Sequence, residues 1–454
     1  MASSLITIGG LATGLDTNKI IDGLMSLERR PIDLLTTERD GVQATRTSIA
    51  TVGTKLTTLT TAVRALGTTA GVLLRKATSS DETVLSAAAG SGAARGSLTI
   101  TVGQLAHGST ASSTVGVPSA TATVATGPGS FRFQVGSGAV QTVSVDATTT
   151  LQGLADAING LGAGVTASAV NLGTAASPDY RLQIASTATG AASTIAVVQD
   201  DTSLAIQATQ AGQDATFTVS GFSGTFSRAT NSFSDVLAGV TISLKSEGTS
   251  TITVDNDVDK IVTQVQAVVT AFNDMATFVA GESSVTESQD KKSVTVGSLA
   301  NDSAVKRVMR RLHDAISAPF TGATTQYVNL SSIGIESQQD GTLKLDEAKL
   351  RAAVGADPTA FAQVFAGTDG ATGVAVNLST LIDQANGAGG VFAVDGKAID
   401  QQIASLQDQI DRGQRRLDQV EAGLRAQFAA LETFVSTLQQ QSGFLASAFG
   451  TTGR

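Results

Sequence analysis

One heptad repeat near the C-terminus constrains this chain more than any other feature. Ile403, Ile410, Leu417, Leu424, Leu431, Leu438 and Leu445 recur at every seventh residue, and the companion positions are Ile399, Leu406, Gly413, Val420, Gln427, Phe434 and Gln441. This is an a/d seam held over about six heptads, and no proline interrupts it. At 1.5 Å per residue the seam would be roughly 70 Å long, too long for the core of one compact domain. It therefore needs partner helices, and two other stretches carry the matching pattern.

The first partner candidate lies near the N-terminus, where Leu35, Val42, Ile49, Leu56 and Val63 are seven apart and Thr45, Val52, Leu59 and Leu66 form the companion row. It is preceded by a shorter periodic run, Ile20, Leu24 and Leu27, capped by Asp16 and ended or kinked at Pro31. The second candidate follows a possible cap at Asp255 or Asp257, with Val258, Val265 and Phe272, and Ile261, Val268 and Met275, again seven apart. Three such stripes require a helical bundle. The long helix is expected to pack, up to about Val420, on residues 35–66 and 258–275. Beyond Gln427, the residues Phe428, Phe434, Phe444 and Phe449 are more apolar than one N-terminal helix can cover.

Between these helices the hydrophobic period changes from heptad to two. Ser97–Val102, Phe131–Val135, Gln141–Val145, Tyr180–Ile184, Thr216–Val219, Phe222–Phe226, Val240–Leu244 and Thr251–Val254 alternate as half-buried strands do. Residues 108–130, rich in Ser, Thr, Ala and Gly, read as a connection. Leu151, Leu154, Ala155 and Ile158 form one short helix stopped by Asn159-Gly160, and residues 281–296 read as a polar loop. Val305, Val308, Met309, Leu312 and Ile316 form a further helix. Asp340-Gly341 marks a hairpin between Ile333–Ile335 and Leu343–Leu345, followed by a helix capped by Asp346. The fold class is α+β and multidomain: a terminal coiled-coil or helical-bundle leg plus two inserted, mainly-β head domains.

The composition removes several classes of function. A formal charge of −9 and the lack of a large basic cluster argue against nucleic acid. There is no cysteine, hence no disulfide scaffold, thiol nucleophile or thiolate metal site. Met1–Asp16 lacks the charged and apolar regions of a secretory signal peptide, and no run of 18 apolar residues suggests membrane insertion. The two histidines, His107 and His313, have no visible orienting partner, so no catalytic residue is assigned and the chain is read as not an enzyme. Glu336, Gln338, Asp340, Gly341 and Glu347 mimic a calcium loop, but Glu and Gln occupy its first two ligand positions and a hairpin turn accounts for the segment. No metal and no cofactor are assigned.

Ile8-Gly-Gly-Leu-Ala-Thr-Gly-Leu-Asp16, Ile20-Ile-Asp-Gly-Leu-Met25 and Glu28-Arg-Arg-Pro31 resemble the opening of the flagellar filament-capping proteins, also called flagellar hook-associated protein 2. Gly96–Ala106, Gly239–Leu244, Ile333–Ile335, Asp346–Leu350, Gln427–Glu432 and Gln441–Leu445 extend the resemblance, and Leu151–Asn159 is similar to the Ile-Asn motif of flagellin and hook-family proteins. The resemblance implies a protein sent out by flagellar type III export that forms a ring-like homo-oligomer at the flagellum tip. There it would promote flagellin polymerisation and stop exported monomers leaking away. Its partners would be itself, flagellin, hook–filament junction proteins and an export chaperone, with a host surface as a further candidate. A surface adhesin or glycan-binding tip protein, or another flagellar axial protein, is the alternative.

On this reading residues 1–34 form a terminal helix disordered until assembly, 35–76 a leg helix, and 77–112 with 210–255 one head domain. Residues 113–209 form a second, inserted head domain, 256–424 the leg bundle, and 425–454 a second terminal helix disordered until assembly. Leu35, Val42, Ile49, Leu56, Val63, Val258, Val265, Phe272, Ile403, Ile410, Leu417 and Leu424 are expected to pack the leg. Leu11, Leu15, Ile20, Leu24, Phe428, Leu431, Phe434, Leu438, Phe444 and Leu445 are expected to dock on the filament or on neighbouring subunits.

Overall fold

The computed structural model describes residues 16–287, 294–320, 327–368 and 371–449. It divides into two compact units, one formed by residues 1–69 with 262–454 and the other by residues 70–261. The helices in chain order are α1 (Thr17–Ala65), α2 (Thr69–Val72), α3 (Leu151–Gly160), α4 (Val258–Glu282), α5 (Ser303–Ser317), α6 (Glu347–Ala356), α7 (Pro358–Ala366), α8 (Val374–Asn386) and α9 (Val391–Phe449).

The first unit is helical. Leu56, Leu59 and Val63 of α1, Val265, Phe272 and Met275 of α4, Leu312 of α5, Phe361 of α7 and Ile382 of α8 are all buried. Leu59, Val63 and Leu66 share one interior with Val269, Phe272, Ile316, Leu330, Leu343 and Leu378, so the middle heptads of α1 are core positions of a multi-helix bundle. The sequence suggests two N-terminal helices separated near Pro31, but α1 runs through that proline as one helix of 49 residues. An internal proline costs about 3 kcal/mol. Burial of Ile21 and Met25 on one side of it, and of Ile32 immediately after it, opposes that cost.

Two further differences from the sequence reading concern this unit. Val285–Glu287 and Val294–Val296 pair as an antiparallel hairpin where a polar loop is expected. Residues Val374–Asn386 form a helix between two turn signals, with Val374, Leu378, Leu381 and Ala385 at intervals of four, three and four.

The second unit holds two β cores. In one, a five-stranded antiparallel sheet runs in the order 75–79, 248–256, 96–104, 215–219, 226–228, and a three-stranded sheet runs 232–237, 240–244, 85–89. Ile100, Val102, Phe217, Ile242, Ile252 and Val254 fill the core of this part. The Phe217 and Phe233 rings stack with centroids 4.9 Å apart. In the other, a four-stranded sheet (206–210, 108–113, 180–189, 165–171) and a three-stranded sheet (141–145, 129–135, 195–200) enclose α3. Phe131, Phe133, Leu151, Leu154, Ile158, Leu182 and Ile184 are buried there.

Gly108–Ser113, expected as part of a connection, is a strand of this second β core, and its inward residues are Ser109, Ala111 and Ser113. The buried serines do the work of backbone partners. Ser109 Oγ donates to the Gln210 carbonyl and accepts from the Ile195 N–H, and Ser113 Oγ accepts from the Leu182 N–H. Phe222, expected in a strand, is exposed in the turn before the Phe226–Arg228 strand.

The short helix α3 is fixed at both ends. Thr150 Oγ1 accepts from the Gly153 N–H at its start. At its end Asn159 Oδ1 accepts from the Ala167 N–H at 2.7 Å and Asn159 Nδ2 donates to the Ala167 carbonyl at 2.9 Å. The amide thus pairs with one residue of the adjacent strand as another strand would. Replacing Asn159 by Ala strands both backbone groups and is expected to cost about 1–3 kcal/mol. Urea unfolding in a Tyr327→Phe background, followed by near-UV absorbance of the remaining Tyr180 on the same strand pair, measures it; an unchanged midpoint would show that the amide pairing contributes nothing.

Candidate functional site

The site is the pairing of the two terminal helices. Arg46 Nε meets Asp400 Oδ1 at 2.8 Å, and Arg39 Nη1 donates to Gln407 Oε1 at 2.8 Å. Further along, a Cβ added at Gly413 would stand 2.8 Å from Ile32 Cγ1. Ile21, Met25, Ile32 and Leu417 then form a small core against which Ile410, Val420, Leu424 and Phe428 pack. Numbers rise along α1 as they fall along α9, so the pair is antiparallel. At this register Thr17, the first residue of α1, comes level with about residue 429.

Glycine at position 413 is what lets the helices close in. The companion row of the seam otherwise holds larger residues, and Ile32 fills the space that a side chain would take. The ion pairs along the groove, Arg46–Asp400 among them, join partly exposed side chains. Such pairs contribute about 0–1 kcal/mol each, so they select register while apolar burial supplies most of the stabilisation.

The residues expected to pack the leg lie as follows. Ile49, Leu56, Val63, Val265, Phe272 and Leu417 are buried, while Leu35, Val42, Val258, Ile403, Ile410 and Leu424 are half-buried. Of the residues expected to dock outside the chain, Leu11 and Leu15 lie outside the described residues. Ile20, Leu24, Leu431, Phe434, Leu438, Phe444 and Leu445 are exposed. Phe428 is half-buried against the chain's own Ile21, Met25 and Ile32 group.

The helix facing α9 beyond Ile410 is therefore the first part of α1, not residues 35–66 or 258–275. Its contact residues Ile21, Met25 and Ile32 escape a reading that follows Ile20, Leu24 and Leu27. The signal was present: positions 21, 25, 28, 32 and 35 carry heptad spacing one residue out of step, broken only by Glu28.

Beside the pair lies a polar groove of about 850 Å³, lined by Thr45, Glu282, Ser298, Asn301, Asp302 and Asp395 among others. The Ser48 and Ser298 hydroxyls sit 2.7 Å apart and approach Glu282 Oε2 at 3.3 and 2.6 Å. Burial pushes the Asp395 carboxyl above the usual carboxylate range, the nearby Asp302 carboxylate pushes it further, and Arg307 acts in the opposite direction.

Among the described residues no group of three or more His, Cys, Asp or Glu is placed to hold a metal ion. Both ring nitrogens of His313 lie 2.8 Å from backbone carbonyls, of Met309 and Gly341. The Asp340 carboxylate accepts from the Thr342 N–H and hydroxyl, as a turn residue does. No described helix is long and apolar enough to cross a membrane.

Comparison with known proteins covers almost the whole chain. Residues 13–109 match the profile described as flagellar hook-associated protein 2 N-terminus, and residues 212–440 the corresponding C-terminus. Residues 130–188 match the flagellin hook IN motif. Flagellar hook-associated protein 2 of Escherichia coli is 27% identical over 463 residues, 97% of each chain. The B-type flagellar hook-associated protein 2 of Pseudomonas aeruginosa is 28% identical over 467 residues, 95% of this chain and 93% of the other. The crystal structure of the flagellar cap protein FliD D1-D2-D3 domains from Escherichia coli superposes with a TM-score of 0.61 at 26% identity, covering 78% of this chain and 99% of that one.

Two outcomes follow from the geometry. Leu417→Ala opens a cavity between α1 and α9 and is expected to cost about 2–5 kcal/mol locally. Hydrogen exchange should then quicken at amides 17–32 while those of α3 keep their rates; equal protection in both variants would mean that the pair is not held by this contact. Because Asp395 is more easily protonated in the folded chain than in the unfolded one, ionising it disfavours the folded state. That loss sets in as pH rises through the unfolded carboxylate range and is complete above the folded value. Asp395→Asn should therefore raise the thermal midpoint at pH 7 and leave it unchanged at pH 3, as differential scanning calorimetry can check.

Proposed function

The chain belongs to the flagellar hook-associated protein 2 family, and from that premise we propose that it is the structural cap at the distal tip of a bacterial flagellar filament. In this role it promotes flagellin polymerisation and keeps exported monomers from escaping. The observation that carries the reading is the match of both terminal profiles together with likeness to a solved flagellar cap protein over 78% of the chain. The work is mechanical: subunits hold the tip, and bonds between proteins are made and exchanged.

The apolar end of α9 supports a part for the terminal helices. Leu431, Phe434, Leu438 and Leu445 are exposed on a heptad face, and exposed faces of this kind mark protein contacts. In the proposed role these residues, with Ile20 and Leu24, and with Leu11 and Leu15, dock on flagellin, on hook–filament junction proteins or on neighbouring subunits. Residues 17–34 and 425–449 are already helical within α1 and α9, so in the proposed role assembly covers their outward faces, after flagellar type III export with the help of a chaperone. Of the domain borders given above, those at 34/35 and 424/425 fall inside the unbroken helices α1 and α9, and Gly108–Ser113 belongs to the inserted β core; the others belong to the same proposal.

Deleting the protein from its host should leave short or absent filaments and flagellin in the medium, scored by electron microscopy and immunoblot. Normal filaments without the protein would rule capping out.

A further inference from the structure

Two exposed apolar seams in the first unit match each other and cannot meet within one chain. On α1, Ile20, Leu24, Leu27, Pro31 and Leu34 follow at intervals of four, three, four and three residues. Ile20, Leu24, Leu27 and Leu34 are 38, 43, 55 and 73% exposed. This seam runs one residue aside of Ile21, Met25 and Ile32, which the chain's own α9 covers. Helix α1 therefore presents two adjacent heptad faces and uses one.

On α9 the seam that holds α1 continues past Phe428 through Leu431, Phe434, Leu438, Gln441 and Leu445. Leu431, Phe434, Leu438 and Leu445 are 43, 62, 47 and 52% exposed. From residue 426 to 449 the only ionisable side chain is Glu432, so this face lacks the charge of a solvated helix surface.

Each seam has five positions and spans about 21 Å. Read in opposite directions their intervals coincide, giving the layers Leu34 with Leu431, Pro31 with Phe434, Leu27 with Leu438, Leu24 with Gln441, and Ile20 with Leu445. One chain cannot make these layers. Helix α9 is unbroken from Val391 to Phe449, and its pairing with α1 carries residues 431–445 beyond Thr17, away from residues 20–34.

We propose that residues 431–445 of one copy pack antiparallel on the Ile20–Leu34 seam of a second copy. The contact extends the α1–α9 interface into a third helix supplied from outside. It joins two different surfaces, so each copy both gives a tail and receives one, and the assembly must close as a ring or continue as a chain. Gln441, the single polar residue among the five tail positions, penalises slipped registers, as a polar seam residue does. The association is a property of the chain itself and stands apart from whether the chain caps a filament.

The absence of cysteine makes the test clean. Full-length Leu27→Cys and Leu438→Cys proteins are mixed under mild oxidation with glutathione disulfide, with Thr37→Cys in place of Leu27→Cys as the control. A disulfide joining position 27 of one copy to position 438 of the other, found by peptide mass and above the control, is expected. Only 438-to-438 bonds, or none above the control, overturn the proposal.

Sedimentation velocity gives an independent reading. Leu27→Glu and Leu438→Glu should each lower the association constant about tenfold or more, with helical circular dichroism unchanged because both positions are exposed. Their equimolar mixture should recover association up to dimers, since one variant keeps its tail and the other its seam. If Leu27→Glu associates as the wild type does, the tail docks elsewhere and the proposal fails.

Discussion

The pairing of the chain's two long terminal helices rests on burial of a short apolar stripe between them. Ile21, Met25 and Ile32 on α1 meet Leu417 and its neighbours on α9, residues almost four hundred positions away. This contact brings the two ends of the sequence together and carries α1 through a proline that would otherwise stop it. Glycine at position 413 sets how near the axes come, and the arginine contacts at Asp400 and Gln407 fix the register. At this register Thr17, the first described residue of α1, stands level with about residue 429, and past that point Leu431, Phe434, Leu438 and Leu445 of the same seam are exposed. One repeat on α9 is thus internal packing surface up to Phe428 and an exposed apolar face from Leu431 onward.

Elsewhere the structure depends on polar groups that stand in for strands. Asn159 pairs with both backbone groups of Ala167, Asn231 with both of Ala106, and Asn273 with both of Leu343. In each case an amide supplies one donor and one acceptor in the geometry of a β-ladder, where no further strand is available. Ser109 and Ser113 serve the same need inside a β core. A chain with few aromatics and many small residues can close its cores this way, because satisfied buried amides and hydroxyls avoid the desolvation cost that unpaired ones carry.

These devices also mark the limit of what the sequence reveals. The strand at 108–113 passed for a connection because its inward residues are Ser, Ala and Ser, and only the hydrogen bonds around them reveal that they are buried. Helix α8 carries a short signal, Val374, Leu378, Leu381 and Ala385 at intervals of four, three and four, but it is brief and lies between two glycine-rich turns, so it does not stand out as the long stripes do. The hairpin at 285–296 alternates Val with Thr and Glu but is exposed on both strands, so it resembles a loop in composition.

The sequence by itself determined that helices long enough to need partners lie at both ends, that β units lie between them, and that no cysteine is available for thiol chemistry. It also carried the family resemblance in motifs at both termini. Which face of α1 meets α9 was decided only in the tertiary structure. Two heptad rows on that helix, 20-24-27-31-34 and 21-25-28-32-35, differ by a single residue and rank alike in periodicity. The choice between them depends on the close approach at Gly413 and on the angle at which α9 crosses, quantities set by atoms far apart in the chain that no local pattern contains.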